Sequence, residues 1–266
     1  MGIGRIYPEE PLSLYIKEIY HASFTNEDRI PVLDDCCHDL VIFREADARL
    51  YCAEFTEGIE INHHIFSISN ISPPFSIEFP KSLNFITVKF QPWCNNLFFG
   101  GKWKPGINDV SQHFKPIFKT NDASEFFQMD DPFEVMQLKL KDYIKTFNLS
   151  GKQRLLKQII ELIYQQSGQL KVNDLEKRFE LSRQYLNKLF KEEVQYSIKH
   201  FIGMVRVMNA VKIQLHNPKI SMTKLAYDVG YYDQAHFVRD FQKVAGMSPK
   251  KFFNLNGAFF KRHKIN

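Results

Sequence analysis

The chain has 266 residues, enough for two domains with separate cores, and its 44% hydrophobic and 24% charged content marks a folded globular protein. It contains no apolar run of about 18 residues and no basic-then-apolar N-terminal segment, so the sequence predicts neither membrane insertion nor secretion and points to the cytoplasm. The net charge of +5 divides unevenly: residues 1–150 carry 14 Lys+Arg against 21 Asp+Glu, a net of −7, and residues 151–266 carry 21 against 9, a net of +12. A polyanion is therefore expected to meet the second half and to avoid the first.

Up to about residue 120 the chain offers short strand-like segments: DLVIFRE, RLYCAEF, HHIFSISNI, FSIEF and NFITVKFQP. Pro, Asn, Gly and Asp separate them, and β-branched and aromatic residues fill them, which predicts a β-barrel or sandwich. Helices follow. Pro132 is a first-turn residue, and the segment after it shows helical periodicity through Val135, Leu138, Tyr143 and Phe147. Asn148 to Gly151 makes a short break. The next helix, Lys152 to Gln166, is expected to place Leu155, Ile159, Leu162 and Ile163 on one face and to open the second domain.

The four cysteines, Cys36, Cys37, Cys52 and Cys94, all fall in the first half. Adjacent Cys36 and Cys37 do not form a disulfide framework, and a reducing setting is the simplest reading. Cys36, Cys37, His38 and Asp39 make a dense group of metal-ligand types, and His63 with His64 adds two imidazoles. Structural zinc sites show two ligand pairs, each spaced by two to four residues, and that pattern is absent. Neighbours on a strand point to opposite faces, so each doublet would give one ligand to a site. Buried thiol packing is the expected role, with no metal and no cofactor. The chain has no glycine-rich phosphate loop and no nucleophile elbow, so no catalytic residue is assigned and the protein is not expected to be an enzyme.

The second half contains a repeat. LEKRFELSRQYLNKLFKEEVQYSIKHF (175–201) matches LAYDVGYYDQAHFVRDFQKVAGMSPKKF (225–252). Leu186, Phe190, Ser197 and Phe201 correspond to Phe237, Phe241, Ser248 and Phe252 at an offset of 51, and Leu175 to Leu225 at an offset of 50. Each copy reads as helix-turn-helix. Gly230 can take the left-handed conformation of the turn, Asp233 and Ser182 suit N-caps, and Gly246 with Pro249 ends one helix and starts another. Arg183, Gln184, Asn187 and Lys188 in the first copy, and Gln234, Ala235, His236 and Arg239 in the second, can face outward. Asn and Gln suit bidentate contacts to adenine, and Arg and Lys suit guanine or phosphate. Arg239 is the leading candidate for a base or phosphate contact, with a salt bridge to Asp240 or Asp233 as the alternative. Lys188, Arg183 and the tail pair Lys261-Arg262 suit phosphates.

LAYDVGY, DQAHFVRDF and GMSPKKF resemble the AraC family of bacterial transcription regulators, and SRQYLNKLF with SIKHFIGMVRVMNAVKIQL resembles the family's first unit and linker helix. Arg206 and Ala210 stand where that family usually has Arg and Ala. Glu180 replaces the usual turn glycine, Val194 stands where Gly is common, and Tyr231 replaces a common Phe. The segments EPLSLYIKEIY, LDDCCHDLVIF and LNFITVKFQPWCNNLFFG resemble a β-rich domain found in front of some AraC-type DNA-binding domains. The resemblance implies an α+β chain: residues 1–150 a β-rich barrel- or sandwich-like domain with flanking helices, binding an effector or pairing chains, and residues 151–266 an all-α domain of two helix-turn-helix units joined by a long helix. It implies double-stranded DNA as partner, read in successive major grooves about 34 Å apart, and is compatible with a small-molecule effector, a homodimer and contact with RNA polymerase. Two rivals stand beside it: a small-molecule or metal sensor whose DNA-binding half has degenerated, suggested by Glu180 and Val194, and an enzyme fused to a DNA-binding domain.

Overall fold

The computed structural model describes residues 2–25, 29–44, 47–69, 71–79, 82–100, 103–118, 124–128 and 131–254. The first half is built on two antiparallel sheets. One has the order β1 (Gly2–Ile6), β2 (Ile16–Thr25), β9 (Ser82–Phe90), β4 (Asp39–Phe43), β7 (Ile65–Ser69), β10 (Gly106–Asp109); the other runs β3 (Arg29–Val32), β8 (Phe75–Glu78), β5 (Ala48–Tyr51), β6 (Ile59–Ile61). The central strand β9 pairs Val88 with Ile19 of β2 and Leu40 of β4. From Phe85 to Phe90 it is buried on both faces.

Side chains alternate along β9, so its two buried faces do different things. Ile86, Val88 and Phe90 share one face. On that side Phe90 meets Phe98 (ring centroids 4.5 Å) and Phe99 (5.1 Å) of the short helix α1 (Asn95–Phe99), and Phe98 meets Phe147 at 4.9 Å. Edge and tilted ring contacts of this kind add to the apolar area they bury. Phe85, Thr87 and Lys89 share the opposite face, and Lys89 lines a cavity that also touches Val32, Leu50 and Phe75 of the second sheet.

After the short helix α2 (Ser124–Phe127), α3 (Pro132–Ile144) begins at Pro132, with the Asp131 carboxylate accepting from the Phe133 and Glu134 amides. Its buried residues are Met136, Leu140 and Ile144. Of the expected stripe, Val135, Tyr143 and Phe147 flank the core, while Leu138 is 56% exposed, because the fully buried row is the neighbouring i, i+4, i+8 one. Helix α4 (Gly151–Gln165) starts in a capping box between Ser150 and Gln153. It buries Leu156, Ile159, Ile160 and Ile163, while Leu155 and Leu162 flank the core.

Six helices follow among the described residues: α5 (Val172–Phe179), α6 (Arg183–Glu193), α7 (Ile198–His216), α8 (Met222–Asp228), α9 (Gln234–Ala245) and α10 (Pro249–Asn254). Within the first helix-turn-helix unit, Glu180 and Gln195 are non-glycine residues in the left-handed region. Glu180 has φ 56°, the counterpart of Gly230 at φ 80°, so the turn keeps its geometry without glycine. In the second turn the expectation for Val194 is corrected. Val194 is right-handed (φ −102°) and buried, and it is Gln195, at φ 73°, that matches Gly246 at φ 69°.

The two halves share one continuous hydrophobic core. Polar groups also join them: the buried Asn95 amide donates to the Cys36 carbonyl at 3.0 Å and the Val194 carbonyl at 3.3 Å, while its oxygen accepts from the His38 amide at 3.0 Å. The Tyr196 hydroxyl donates to Asp34 at 2.6 Å.

A left-handed conformation costs an ordinary residue about 1 kcal/mol or more relative to glycine. Glu180→Gly and Gln195→Gly are each expected to raise the stability of the chain by about 1 kcal/mol in urea unfolding. Val194→Gly is expected to lower it by about 2–3 kcal/mol, since it empties a buried site and loosens a right-handed residue. A stabilising Val194→Gly would reverse the assignment.

Candidate nucleic-acid interface

The repeat read in the sequence is a repeat in space. Phe190 of α6 meets Phe201 of α7 edge-on with ring centroids 5.5 Å apart, and Phe241 of α9 meets Phe252 of α10 in the same way at 5.3 Å. All four rings are buried. The caps repeat as well. The Ser182 hydroxyl accepts from the Tyr185 amide (3.2 Å) and the Asp233 carboxylate from the His236 amide (2.7 Å), opening α6 and α9; Ser197 and Ser248 do the same for α7 and α10. Each cap satisfies a backbone donor that helix geometry leaves free.

With Leu186, Leu189 and Phe190 inward on α6, Arg183, Gln184 and Lys188 stand exposed and Asn187 half-buried. With Phe237, Phe241 and Val244 inward on α9, Gln234, Ala235, His236 and Arg239 are exposed. Several of these side chains have local partners. Arg183 lies 3.4 Å from Glu176, Lys188 3.8 Å from Glu192 and His236 3.4 Å from Asp240, and the Thr223 hydroxyl donates to Gln234 at 2.7 Å. Exposed ion pairs of this kind contribute about 0–1 kcal/mol and exchange readily for a phosphate. Arg239 has no ion pair among the described residues. Asp240 is approached by His236 and by Lys243 (3.3 Å), and Asp233 is engaged as the cap, so the salt-bridge alternative for Arg239 is not formed. Lys261 and Arg262 lie outside the described residues.

One feature of this surface escaped the sequence reading, and a second, Arg206, was read there only as a family match. Tyr232, in the turn just before Asp233, is 88% exposed at the head of α9; the doublet Tyr231-Tyr232 was the available signal, since Tyr231 is buried and its neighbour is thereby turned out. Arg206 on α7 ties the bundle together. Its Nε and Nη2 donate to the Gly168 carbonyl at 3.0 and 2.6 Å, and its guanidinium lies 5.0 Å from the centre of the Tyr231 ring.

In the first half Cys36, Cys52 and Cys94 are buried, Cys37 is partly buried, and all four are free thiols. Burial raises the pKa of each, so they are held as thiols. Cys36 sits in a turn at φ 55°, not in a strand, so the expected alternation of Cys36 and Cys37 across a sheet does not apply. Burial, with help from Lys89, pushes His38 down to about 4 and keeps it neutral. His63 lies 3.7 Å from Asp109 and the His64 Nδ1 3.0 Å from the Phe43 carbonyl, apart from the Cys36 turn.

Two of the cavities among the described residues, each of about 250 Å³, lie where the halves meet or close to it. One lies between the sheets under Gln195 and Tyr196 and contains Lys89, which sits 3.1 Å from Asp35 and 2.9 Å from Asp39. Burial opposes its charge, but the two carboxylates hold its pKa well above the usual lysine range. The other lies between the halves and is lined by Arg5, Lys17, Tyr164, Met204, Met208 and Lys212 among others. Burial, with the neighbouring Lys17 and Arg5 charges, lowers the pKa of Lys212.

The architecture is that of a double helix-turn-helix domain packed on a β-rich one. A family model described as a helix-turn-helix domain matches residues 175–254, so this region is an AraC-type helix-turn-helix domain, as the sequence motifs indicated. The Msm operon regulatory protein of Streptococcus mutans is 38% identical over 104 residues, 39% of this chain and 37% of that protein, so the match spans little more than a third of that relative. The HTH-type transcriptional regulator YdeC of Bacillus subtilis is 20% identical over 217 residues, 78% of this chain and 72% of that protein. The structure of ToxT from Vibrio cholerae aligns over 90% of this chain and 98% of its own with a TM-score of 0.50 and 11% identity, a likeness of fold. Among the described residues no helix is long and apolar enough to cross a membrane.

Arg206→Ala is expected to destabilise the chain by about 2 kcal/mol in equilibrium unfolding, from the lost charge-assisted hydrogen bonds and the ring contact. Arg206→Lys should restore only part of this, because an ammonium cannot donate to Gly168 and face Tyr231 as a planar fork does. Equal stability of Arg206→Ala and the parent would remove Arg206 from this role.

Proposed function

We propose that the chain is a sequence-specific DNA-binding transcription regulator. The observation that carries the reading is the pair of structurally equivalent helices, α6 and α9, each capped, each apolar on its inner face, and each presenting basic and amide side chains on the other. The net of +12 over residues 151–266 supplies the electrostatic attraction. In this reading α6 and α9 enter successive major grooves. Arg239 reads a base edge; Gln184, Asn187 and Gln234 are placed for adenine; Arg183 and Lys188 engage phosphates, which position without specifying. Ala235 and His236 lie at the head of α9 beside them.

We further read residues 1–150 as a regulatory unit and residues 151–266 as the DNA reader, with the division just after the Ser150 cap. The two cavities, one between the sheets beneath Gln195 and Tyr196 and one between the halves, support a role for a small effector, and the edge strand β1 supports a test of pairing between two chains. A regulator of this kind acts at a promoter and so meets RNA polymerase there. The cysteines are buried and held as protonated thiols, which supports a non-enzymatic role. The retained left-handed geometry at Glu180 speaks against a degenerate DNA-binding half, since the glycine replacement that suggested decay leaves the turn in its expected form.

Fluorescence anisotropy with an operator selected from random DNA tests the first proposal. Affinity should fall steeply between low and moderate salt. Arg239→Ala should cost about 1–3 kcal/mol on the selected operator and relax specificity at one position, whereas Lys188→Ala should weaken all sequences alike. Unchanged affinity of Arg239→Ala on that operator would remove it from base reading, and absence of DNA affinity at low salt in the folded chain would remove the reading itself.

For the regulatory unit, deletion of residues 1–147 is expected to change affinity or cooperativity by a coupling of about 1–3 kcal/mol while preserving the footprint of one chain. Identical binding and promoter response of the full chain and the fragment would exclude regulation by the first half.

A further inference from the structure

Asp34 and Cys36 lie in the turn between β3 and β4, and His200 lies in the first turn of α7. Folding brings them together: one carboxylate oxygen, the thiol sulfur and one imidazole nitrogen all lie within 4.8 Å of one another. We propose that these three side chains bind a transition-metal ion, zinc by preference, and that the ion clips the β-rich half to the helix that spaces the two helix-turn-helix units.

The donor set selects the metal. Thiolate, imidazole and carboxylate together suit zinc, with water as the fourth ligand, and disfavour calcium and magnesium, which take oxygen ligands. A tetrahedral zinc places such ligand atoms roughly 3.3–3.8 Å apart, so closing the site asks for side-chain movements of about 1 Å.

The three groups are also prepared for it in different ways. The Cys36 thiol is fully buried, and neither it nor the His200 ring makes a side-chain hydrogen bond among the described residues, so both are uncommitted. Asp34 is already oriented. One of its oxygens accepts from the Cys36 amide at 2.8 Å and the other from the Tyr196 hydroxyl at 2.6 Å. Each carboxylate oxygen keeps a lone pair for a metal. Tyr196 in turn stacks on the His200 ring at 5.1 Å, with ring planes 13° apart, and so steadies two of the three ligands at once. Outer contacts of this type fix ligand orientation in metal sites. Binding is balanced by release of one proton: the Cys36 S–H bond gives way to a sulfur–metal bond and the proton passes to solvent.

Because the ligands come from both halves, the ion binds only when the halves are packed together, and it stabilises that packing by mass action. The site is separate from the outer faces of α6 and α9, so its test does not depend on DNA.

The test uses the full-length reduced chain and cobalt(II), which takes zinc's geometry and reports thiolate ligation by a charge-transfer absorption. The proposal expects that absorption to saturate at one equivalent, zinc to abolish it, and the thermal midpoint to rise with either metal. Cys36→Ser should remove the charge-transfer band, while Cys37→Ser, whose parent sulfur lies 3.4 Å from the Lys17 ammonium, should leave it. Tyr196→Phe, a positioning change, should weaken cobalt affinity by about 10–100-fold, and His200→Gln by more. No saturable band, or a band that survives both Cys36→Ser and His200→Gln at unchanged affinity, would overturn the proposal. Should the buried Cys36→Ser variant fail to fold by circular dichroism, the half-exposed His200→Gln variant decides alone: unchanged affinity refutes the site and a loss beyond that of Tyr196→Phe supports it.

Discussion

The arrangement of the second half depends on one helix with almost no free face. α7 buries Phe201, Ile202, Met204, Val205, Val207, Ala210, Val211 and Leu215, residues that fall all around its circumference. An amphipathic helix can roll on its partner; a helix apolar on every side is gripped from every side. Units one and two both lean on it, so the relation between α6 and α9 is set by the packing of α7 and not by the flexibility of a linker. Arg206 strengthens the same joint. It links α7 to the end of α4 through Gly168 and to the second unit through the Tyr231 ring. In the proposed reading, where α6 and α9 enter two grooves, a rigid spacer keeps the cost of orienting the second unit out of the binding equilibrium.

The β-rich half is fastened to this bundle by buried polar groups as well as by apolar area. Asn95 is the clearest case. Its nitrogen donates to both the Cys36 and the Val194 carbonyls only when the Cys36 turn and the end of α6 are both in place. A buried amide stripped of these partners costs roughly 1–3 kcal/mol. Asp34 and Tyr196 form a second such tie. Polar ties of this kind specify one docking geometry, where apolar contact alone tolerates sliding.

Legibility in the sequence followed the range of the interactions. The second unit could be read closely because its signals are local. Gly230, Asp233, Gly246 and Pro249 each dictate the conformation of their own few residues. Turn geometry in the first unit was legible at Glu180 and one residue out at Val194. Nothing in a Val-Gln pair says which takes positive φ; the answer comes from Val194 being drawn into the core. Strand character in the first half was visible for β4, β5, β7, β8 and β9. Their order was not, since β2 beside β9 and β9 beside β4 join segments remote in the chain. The stripe on α3 was read one row to the side, with Val135, Tyr143 and Phe147 at the core's flank and Leu138 outside it, for a related reason. Several rows on that helix are apolar enough, and only the tertiary packing selects Met136, Leu140 and Ile144. The grouping of Asp34 and Cys36 with His200 lay wholly beyond spacing rules, because its third member arrives from the other half.

The halves also meet at two equivalent points of the repeat. Gln195 and Gly246 both follow a recognition-type helix in the left-handed region, and they correspond at the repeat's own offset. Gln195 lines the cavity between the sheets. Gly246 lies so close to Pro74, in the segment before β8, that a Cβ on it would fall 2.3 Å from the Pro74 nitrogen. The β-rich half thus touches the C-terminal ends of α6 and α9 together. A shift that moved it against one would have to move it against the other, because α7 holds the two helices in a fixed relation. In the proposed regulatory reading, an occupant of the intersheet cavity would meet the second half at Gln195 and Tyr196, and a coupling of about 1–3 kcal/mol is of the size that links sites in regulated proteins.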